Sequence, residues 1–210
     1  QKTAYEIKEC DWNSDVCSSE LGLGGAVFPT HMKLKIKQSQ SIQTLVINAA
    51  ECEPFITCDD MLMRERANEV IQGAIIVQTI LGAKECIVGI EDNKTEAYEA
   101  LKKAAQKTAI KIKIVPTLYP SGDAKRLIYL LMGIEVPKEK RSVDLGIQVF
   151  NVATVAAVYR YLEFGEPSIS RIVTITGAVK IPQNYEVLFG TPLSELILAS
   201  GGSLSRSEEH

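Results

Sequence analysis

Between residues 44 and 163, short β-branched runs alternate four times with longer segments of helical period. TLVIN (44–48), CIVGI (86–90), IKIVP (112–116) and GIQVF (146–150) read as strands, because each is a brief apolar run rich in Val and Ile. The segments after them read as helices. In 61–83 the apolar residues Met63, Ala67, Val70, Ala74 and Val77 recur at helical spacing. Segment 94–106 is acidic early and basic late, as the helix dipole favours. Segment 123–133 ends near Gly133, and 152–163 completes the series. Strands separated by helices in this order pair side by side when the chain crosses back after each one. The expected fold is therefore α/β: a Rossmann-like, mostly parallel sheet with helices on both faces.

The pattern changes at FGEPSIS (164–170), a turn-rich linker. A strand (RIVTITGAV), a turn and second strand (KIPQNYEVLFG) and a helix (TPLSELILASGG) follow, the order of a small β-grasp-like module over 169–202. Thr191 is the expected N-cap, Pro192 the first helical residue and Gly201 the stop. The α/β domain is expected over 22–165. Residues 1–21 and 203–210 are out of character with the rest. DWNSDVCSSEL and RSEEH resemble translated adapter read-through, so both ends read as a non-native or disordered leader and tail, with the natural protein longer in both directions. On that reading Cys10, Cys17 and Trp12 carry no function.

A net charge of −3 and a pI near 5.6 give no electrostatic case for nucleic acid. No apolar run reaches the roughly 18 residues of a membrane span. AIIVQTILGA (74–83) is broken by Gln78 and Thr79 and reads as a buried helix. Five cysteines at irregular spacing, without a C-x-x-C pair or a recognisable secretion signal, suggest reduced thiols in a cytosolic setting.

Four loops are candidates for a site. GLGGAVFPTHMK (22–33) places Gly22, Gly24 and Gly25 ahead of Phe28 and Lys33. Glycines let backbone N–H groups approach an anion, so the stretch reads either as a phosphate cradle or as a tight turn before a strand. It matches neither the G-x-G-x-x-G fingerprint nor Walker A. NAAECEPFITCDD (48–60) follows the first strand, where α/β sheets hold ligands, and packs Glu51, Glu53, Asp59 and Asp60 into ten residues. Crowded acids repel one another unless something binds among them; they suit ribose hydroxyls, a flavin N–H or a metal, or else the stretch is a solvated acidic turn with Asp59 or Asp60 capping the next helix. Cys52 and Cys58 read as buried thiols, and His31 as structural. YPSGDAKR (119–126) offers Gly122 and a helix N-terminus to a phosphate, and FNVATV (150–155) offers Asn151 and Thr154 as hydrogen-bonding groups. Each of these two alone looks like an ordinary helix cap.

Taken together, GLGGAVFPTHMKL, INAAECEPFITCDDMLMRERA, GIEDNK, YPSGDAKRLIYLLMGIEVP and VTITGAVKIPQNYEVLFGTPLSELILASGG resemble the C subunit of the Rnf electron-transport complex, from about Gly22 to Gly202. The resemblance implies an α/β domain similar to the flavin- and NADH-binding subunit of respiratory complex I, followed by an SLBB (β-grasp) module. It also implies roles. Gly22, Gly24, Gly25 and Lys33 would cradle the FMN phosphate and the dinucleotide, and Phe28 would stack on the nicotinamide nucleotide. Asn48, Glu51 and Glu53 would contact FMN or NAD(H). Gly122 with Asp123, and Asn151 with Thr154, would supply the third and fourth loops. Ala50 and Phe150 depart from the complex I pattern, which has an aspartate and a second asparagine there. The family's 4Fe-4S clusters sit on downstream C-x-x-C motifs that this sequence does not contain.

A nicotinamide moves two electrons as a hydride, iron–sulfur clusters take one at a time, and a flavin does both. The resemblance thus implies an oxidoreductase subunit with no catalytic acid or base. It would pass electrons between NADH and ferredoxin-linked clusters, beside other Rnf-complex subunits, peripherally on the cytoplasmic face of the bacterial inner membrane. The partners would couple this to ion translocation. Two rivals share parts of the pattern: a corrinoid reductase of the propanediol-utilisation type, against which the TCDD continuation speaks, and a docking module that has lost flavin, which Ala50 and Phe150 permit.

Overall fold

The computed structural model describes residues 22–24, 28–35 and 41–204. Gly25, the 1–21 leader and residues 205–210 lie outside the described residues. Four parallel strands, β1 (Thr44–Ala49), β2 (Glu85–Glu91), β3 (Lys111–Val115) and β4 (Ile147–Asn151), form one sheet in the order β3-β2-β1-β4. All four strands expected from the sequence are present within a residue or two of their expected limits.

Strand alternation sorts the core into two layers. Leu45, Ile47 and Ala49 of β1 and Cys86, Val88 and Ile90 of β2 face a cluster built with helices α2 (Cys58–Glu65), α3 (Ala67–Leu81), α4 (Thr95–Ala105) and α6 (Val152–Phe164). Val46, Ile87, Ile147 and Val149 face the other way, onto Leu127, Ile128 and Leu131 of α5 (Ala124–Met132). Helices cover both faces, as expected, but unevenly. Helices α3 and α6 pack so closely that a Cβ on Gly73 would stand 1.9 Å from the Val155 carbonyl oxygen.

The chain builds β1, β2 and β3 outward on one side, crosses under the sheet through α5, and returns to lay β4 on the far side of β1. The order therefore reverses between β1 and β4. The carboxyl ends of those two strands, at Ala49 and Asn151, flank the topological switch point where open α/β sheets hold ligands.

Two expectations about helices are corrected. The segment read as one helix over 61–83 is two, broken at Arg66, whose φ of −128° and ψ of 34° are not helical. No proline or glycine marks the break, and the Arg66 guanidinium reaches Glu186 of β6 (Gln183–Leu188) at 2.5 Å. The last helix, α7 (Leu193–Ala199), has Pro192 rather than Thr191 at its N-cap, with ψ 137°. Its end is as expected: Gly201 takes φ +81°, with Gly201 N–H on Leu198 O and Gly202 N–H on Ile197 O, both at 2.9 Å, a Schellman closure. Helix α7 follows the antiparallel pair of β5 (Ser170–Ile175) and β6. This hairpin docks on the α/β domain through Asn184, which donates to Thr57 O (3.2 Å) and Thr57 Oγ1 (3.0 Å), while Thr57 N–H donates to Thr174 Oγ1 at 3.0 Å. Among the described residues no helix is long and apolar enough to cross a membrane.

Candidate functional site at the sheet switch point

Six residues expected from the sequence to form a site line one pocket of about 40 Å³: Gly22, Gly24, Phe28, Lys33, Asn151 and Thr154, joined by Thr30. The short helix α1 (Thr30–Leu34) brings Lys33 under the sheet edge. Its Nζ donates to Val149 O of β4 at 3.0 Å and lies 5.9 Å from the Phe28 ring centroid and 5.2 Å from that of Phe150. Burial pushes the Lys33 ammonium below the usual lysine range. Among the described residues no carboxylate pairs with it. Beside it the Thr30 hydroxyl is buried with no hydrogen-bond partner. A desolvated cation and an orphan hydroxyl in one pocket leave unmet demand for an anion.

The glycines are required by the way the loops meet. A Cβ on Gly22 would lie 2.6 Å from Phe28 O, one on Gly24 3.1 Å from the Asn151 Cβ, and one on Gly122 2.9 Å from Ala50 O. They let three loops close on one another, and the backbone is thin as a consequence.

Most of the polar residues expected as ligand contacts are fasteners between these loops. Asn48 donates to Gly122 O at 2.8 Å and accepts from Ala50 N–H at 3.0 Å, tying the end of β1 to the β3–α5 loop. Asp123 caps α5, accepting from the N–H groups of Lys125 and Arg126 at 3.0 Å each. Asn151 caps α6 through Ala153 N–H and donates to Asp59 at 2.7 Å. Thr154 accepts from Leu23 N–H at 2.9 Å, which anchors the glycine loop to α6. Glu51 is buried and caps α2 from seven residues upstream, accepting from Asp59 N–H (2.8 Å), Asp60 N–H (3.2 Å) and the Cys58 thiol (3.2 Å), with Lys94 at 3.4 Å. A capping acid so far from the helix start is invisible to a rule that looks for the cap at the N-cap residue itself, and α2 starts three residues earlier than expected. Glu53, by contrast, is exposed on the loop tip.

The thiols are hydrogen-bonded rather than paired. Cys52 Sγ accepts from Gly122 N–H at 3.3 Å. Burial pushes the Cys58 thiol up to about 12, with Asp59 and Glu51 adding to the effect. Glu51, Cys58 and Asp59 bring three potential metal donors within 4.8 Å of one another, but they are already engaged by helix cap and amide. Burial likewise raises the Asp59 carboxyl to about 6, opposed by the Asn151 hydrogen bond and reinforced by Glu51. His31 is exposed on α1.

Sequence reasoning missed two residues. Thr30 gave no motif signal. Glu91, at the end of β2, is 1% exposed with neither carboxylate oxygen partnered, and an acid where a strand runs into a turn looks like any turn residue.

The comparisons agree with this architecture. The family model described as the Nuo51 FMN-binding domain matches residues 18–160, and the SLBB domain model matches 172–208. The C subunit of the ion-translocating oxidoreductase complex of Haemophilus influenzae is 50% identical over 183 residues, covering 86% of this chain and 22% of that protein. Its counterpart in Rhodobacter capsulatus is 45% identical over 185 residues, covering 87% and 36%, and that of Pseudomonas aeruginosa is 48% identical over 188 residues, covering 89% and 24%. The chain thus spans between about a fifth and a third of the length of these relatives. An NAD+-reducing [NiFe]-hydrogenase in its air-oxidised state superimposes with a TM-score of 0.76 at 22% identity, over 92% of this chain and 38% of that one, a likeness of fold. With half its residues identical across most of its length, the chain belongs to the family of C subunits of ion-translocating oxidoreductase complexes, spanning the Nuo51-type and SLBB regions.

Proposed function

We propose that the switch-point edge binds FMN and NAD(H), and that this chain is the flavin-bearing core of its subunit. In the assembled complex it would exchange electrons between NAD(H) and ferredoxin-linked iron–sulfur clusters carried elsewhere, at the cytoplasmic face of the membrane. The observation that carries the reading is the pair formed by Lys33, a half-buried cation without a carboxylate, and Thr30, an orphan hydroxyl, in a pocket walled by the glycine loop. A phosphate supplies the counter-charge that Lys33 lacks and the acceptor that Thr30 lacks. The family description as an FMN-binding domain supports the same ligand.

The residues fit the flavin unevenly. Lys33, Thr30 and the backbone of Gly22 and Gly24 would hold its phosphate. Phe28, 45% exposed above the pocket, would stack on the nicotinamide nucleotide, and Glu53 would accept from ribose or ring hydrogens. Asn48, Glu51, Asp123, Asn151 and Thr154 would act one step back, holding the loops in register. Bound FMN would supply the exchange between hydride and single electrons. The chain's own task is positional: to keep both ligands over the sheet edge without a proton-transfer group.

The test is a titration of the 210-residue chain with FMN, read by quenching of flavin fluorescence, followed by anaerobic NADH. Quenching followed by bleaching of the flavin band is expected. Quenching without bleaching would remove the dinucleotide from the proposal, and no quenching by the folded chain would favour a flavin-less docking module.

A further inference from the structure

Glu53, Pro54, Phe55 and Ile56 form a β-turn, closed by Ile56 N–H on Glu53 O at 3.4 Å. Pro54 is its second residue and Phe55 its third. Phe55 has φ +66°, and among the described residues it alone takes a positive φ without being glycine. A turn with proline second and a positive φ third is the kind in which glycine or asparagine fills the third place. A bulky aromatic there is strained. The strain hides no ring from water: Phe55 is 82% exposed. The chain thus holds a phenylalanine in an unfavourable backbone and gains no burial in return.

The surroundings hold it there. At one end of the loop Glu51 is locked to the start of α2 and Cys52 to Gly122 N–H. At the other, Thr57 is locked to Thr174 and Asn184 of the β5–β6 hairpin. The turn projects between these two pins, at the carboxyl end of β1. All four of its residues are exposed, among them the Glu53 carboxylate and the Phe55 ring. Tyr119, 77% exposed, stands on the β3–α5 loop that Gly122 ties to the same segment. Backbone strain that a surrounding structure over-determines collects at ligand clamps. A rigid ring beside an acid that accepts from hydroxyls matches the chemistry of a nucleoside: a planar heteroaromatic base on a ribose.

We infer that Phe55 is a stacking platform for a heteroaromatic ring of NAD(H), with Glu53 on the same turn taking the adjoining ribose. The inference rests on the reading that this edge binds flavin and dinucleotide, and it adds a residue that sets dinucleotide affinity apart from flavin affinity.

The experiment compares the 210-residue chain with Phe55→Gly and Phe55→Trp. Three quantities are measured: thermal midpoint, FMN affinity by fluorescence quenching, and NADH affinity by calorimetry. Phe55→Gly should melt higher, because glycine relieves the positive φ, and so it should fold. It should keep its FMN affinity and bind NADH about tenfold more weakly, the scale of one lost base–aromatic stack. Phe55→Trp should hold NADH at least as tightly as the parent. ADP-ribose used in place of NADH assigns the ring: an equal loss places adenine on Phe55, and no loss places nicotinamide there. Unchanged NADH affinity in Phe55→Gly overturns the inference and leaves the ring as a surface for another protein. Equal losses of FMN and NADH also overturn it, since the turn would then only be shaping the edge. A parent chain that binds NADH but not FMN would refute the flavin reading while this comparison still decides the role of Phe55. A parent that binds neither refutes both.

Discussion

Asn151 donates its side-chain amide to Asp59 at 2.7 Å while its own side-chain oxygen accepts from Ala153 N–H at 2.8 Å, so one residue caps α6 and ties it to α2. The Asp59 end of this link is the electrostatically costly one. Burial lifts its carboxyl from 3.8 to about 6, and the neighbouring Glu51 pushes the same way. A raised carboxyl pKa means that the folded chain holds the proton more tightly than the unfolded chain does. Below pH about 4 both states are protonated and there is no penalty. The penalty grows as the pH rises to about 6 and is constant above that. Asp59→Asn keeps an acceptor for Asn151 and removes the charge. It should raise unfolding stability by about 2 kcal/mol at pH 7.5 and by little at pH 4. Urea unfolding at the two pH values checks this, and an equal change at both would mean that the carboxylate is not desolvated.

Glu91 makes a second, independent pH prediction. Both of its oxygens are buried without a partner, and burial raises its pKa against the opposing pull of Lys94. Glu91→Met should stabilise the chain at neutral pH by about 1–2 kcal/mol, the cost of an unsatisfied buried polar group. The gain should vanish in acid. A loss of stability at pH 7 would show that the carboxylate has a partner in solution.

Gly73 sets how closely α3 and α6 approach. With the Val155 carbonyl oxygen 1.9 Å from where a Cβ would sit, Gly73→Ala cannot be absorbed by a side-chain rotation. The helices must separate, at a cost of about 3 kcal/mol. Because Asn151 caps α6 and Thr154 lies on it, the change should also weaken FMN binding. Unaltered denaturation would contradict the packing described.

Asn184 is the fastener of the small module. Asn184→Ala removes its bonds to Thr57 and its acceptance from Thr174, at 2.7 Å. A double-mutant cycle with Thr57→Ala should return a coupling of about 0.5–2 kcal/mol. Amide exchange should rise in 170–188 and in the 52–57 turn together. Exchange confined to the hairpin would mean that the turn does not depend on the module.

Much of this was legible in the sequence. The four strands were plain because each is a compact Val- and Ile-rich run; three of the candidate loops were suggested because they follow strands, and the glycine loop, which precedes β1, by its glycines alone. Gly201 was readable as a stop because only glycine fits that conformation cheaply. What was not legible depends on distant partners. The break at Arg66 carries no local signal and is accompanied by an ion pair to Glu186, 120 residues on. The residues most suggestive of ligand contact are engaged within the protein: Asn48 ties two loops together, and Glu51, Asp123 and Asn151 cap helix N-termini. A cap and a ligand contact demand the same chemistry, so residue type alone does not separate them. Thr30 became visible only once the fold had buried its hydroxyl beside Lys33.

The most direct test of the account is FMN affinity in Lys33→Met, measured by fluorescence quenching against the parent chain at the same salt concentration. Methionine keeps the apolar stem between Phe28 and Phe150 and removes a charge that burial already disfavours, so the variant should fold and melt at least as high. Loss of one charge-assisted contact to the phosphate should weaken FMN by about ten- to a hundredfold. The weakening should be far smaller for riboflavin, which has no phosphate. A folded Lys33→Met that binds FMN as tightly as the parent would contradict the assignment of this pocket to the flavin phosphate.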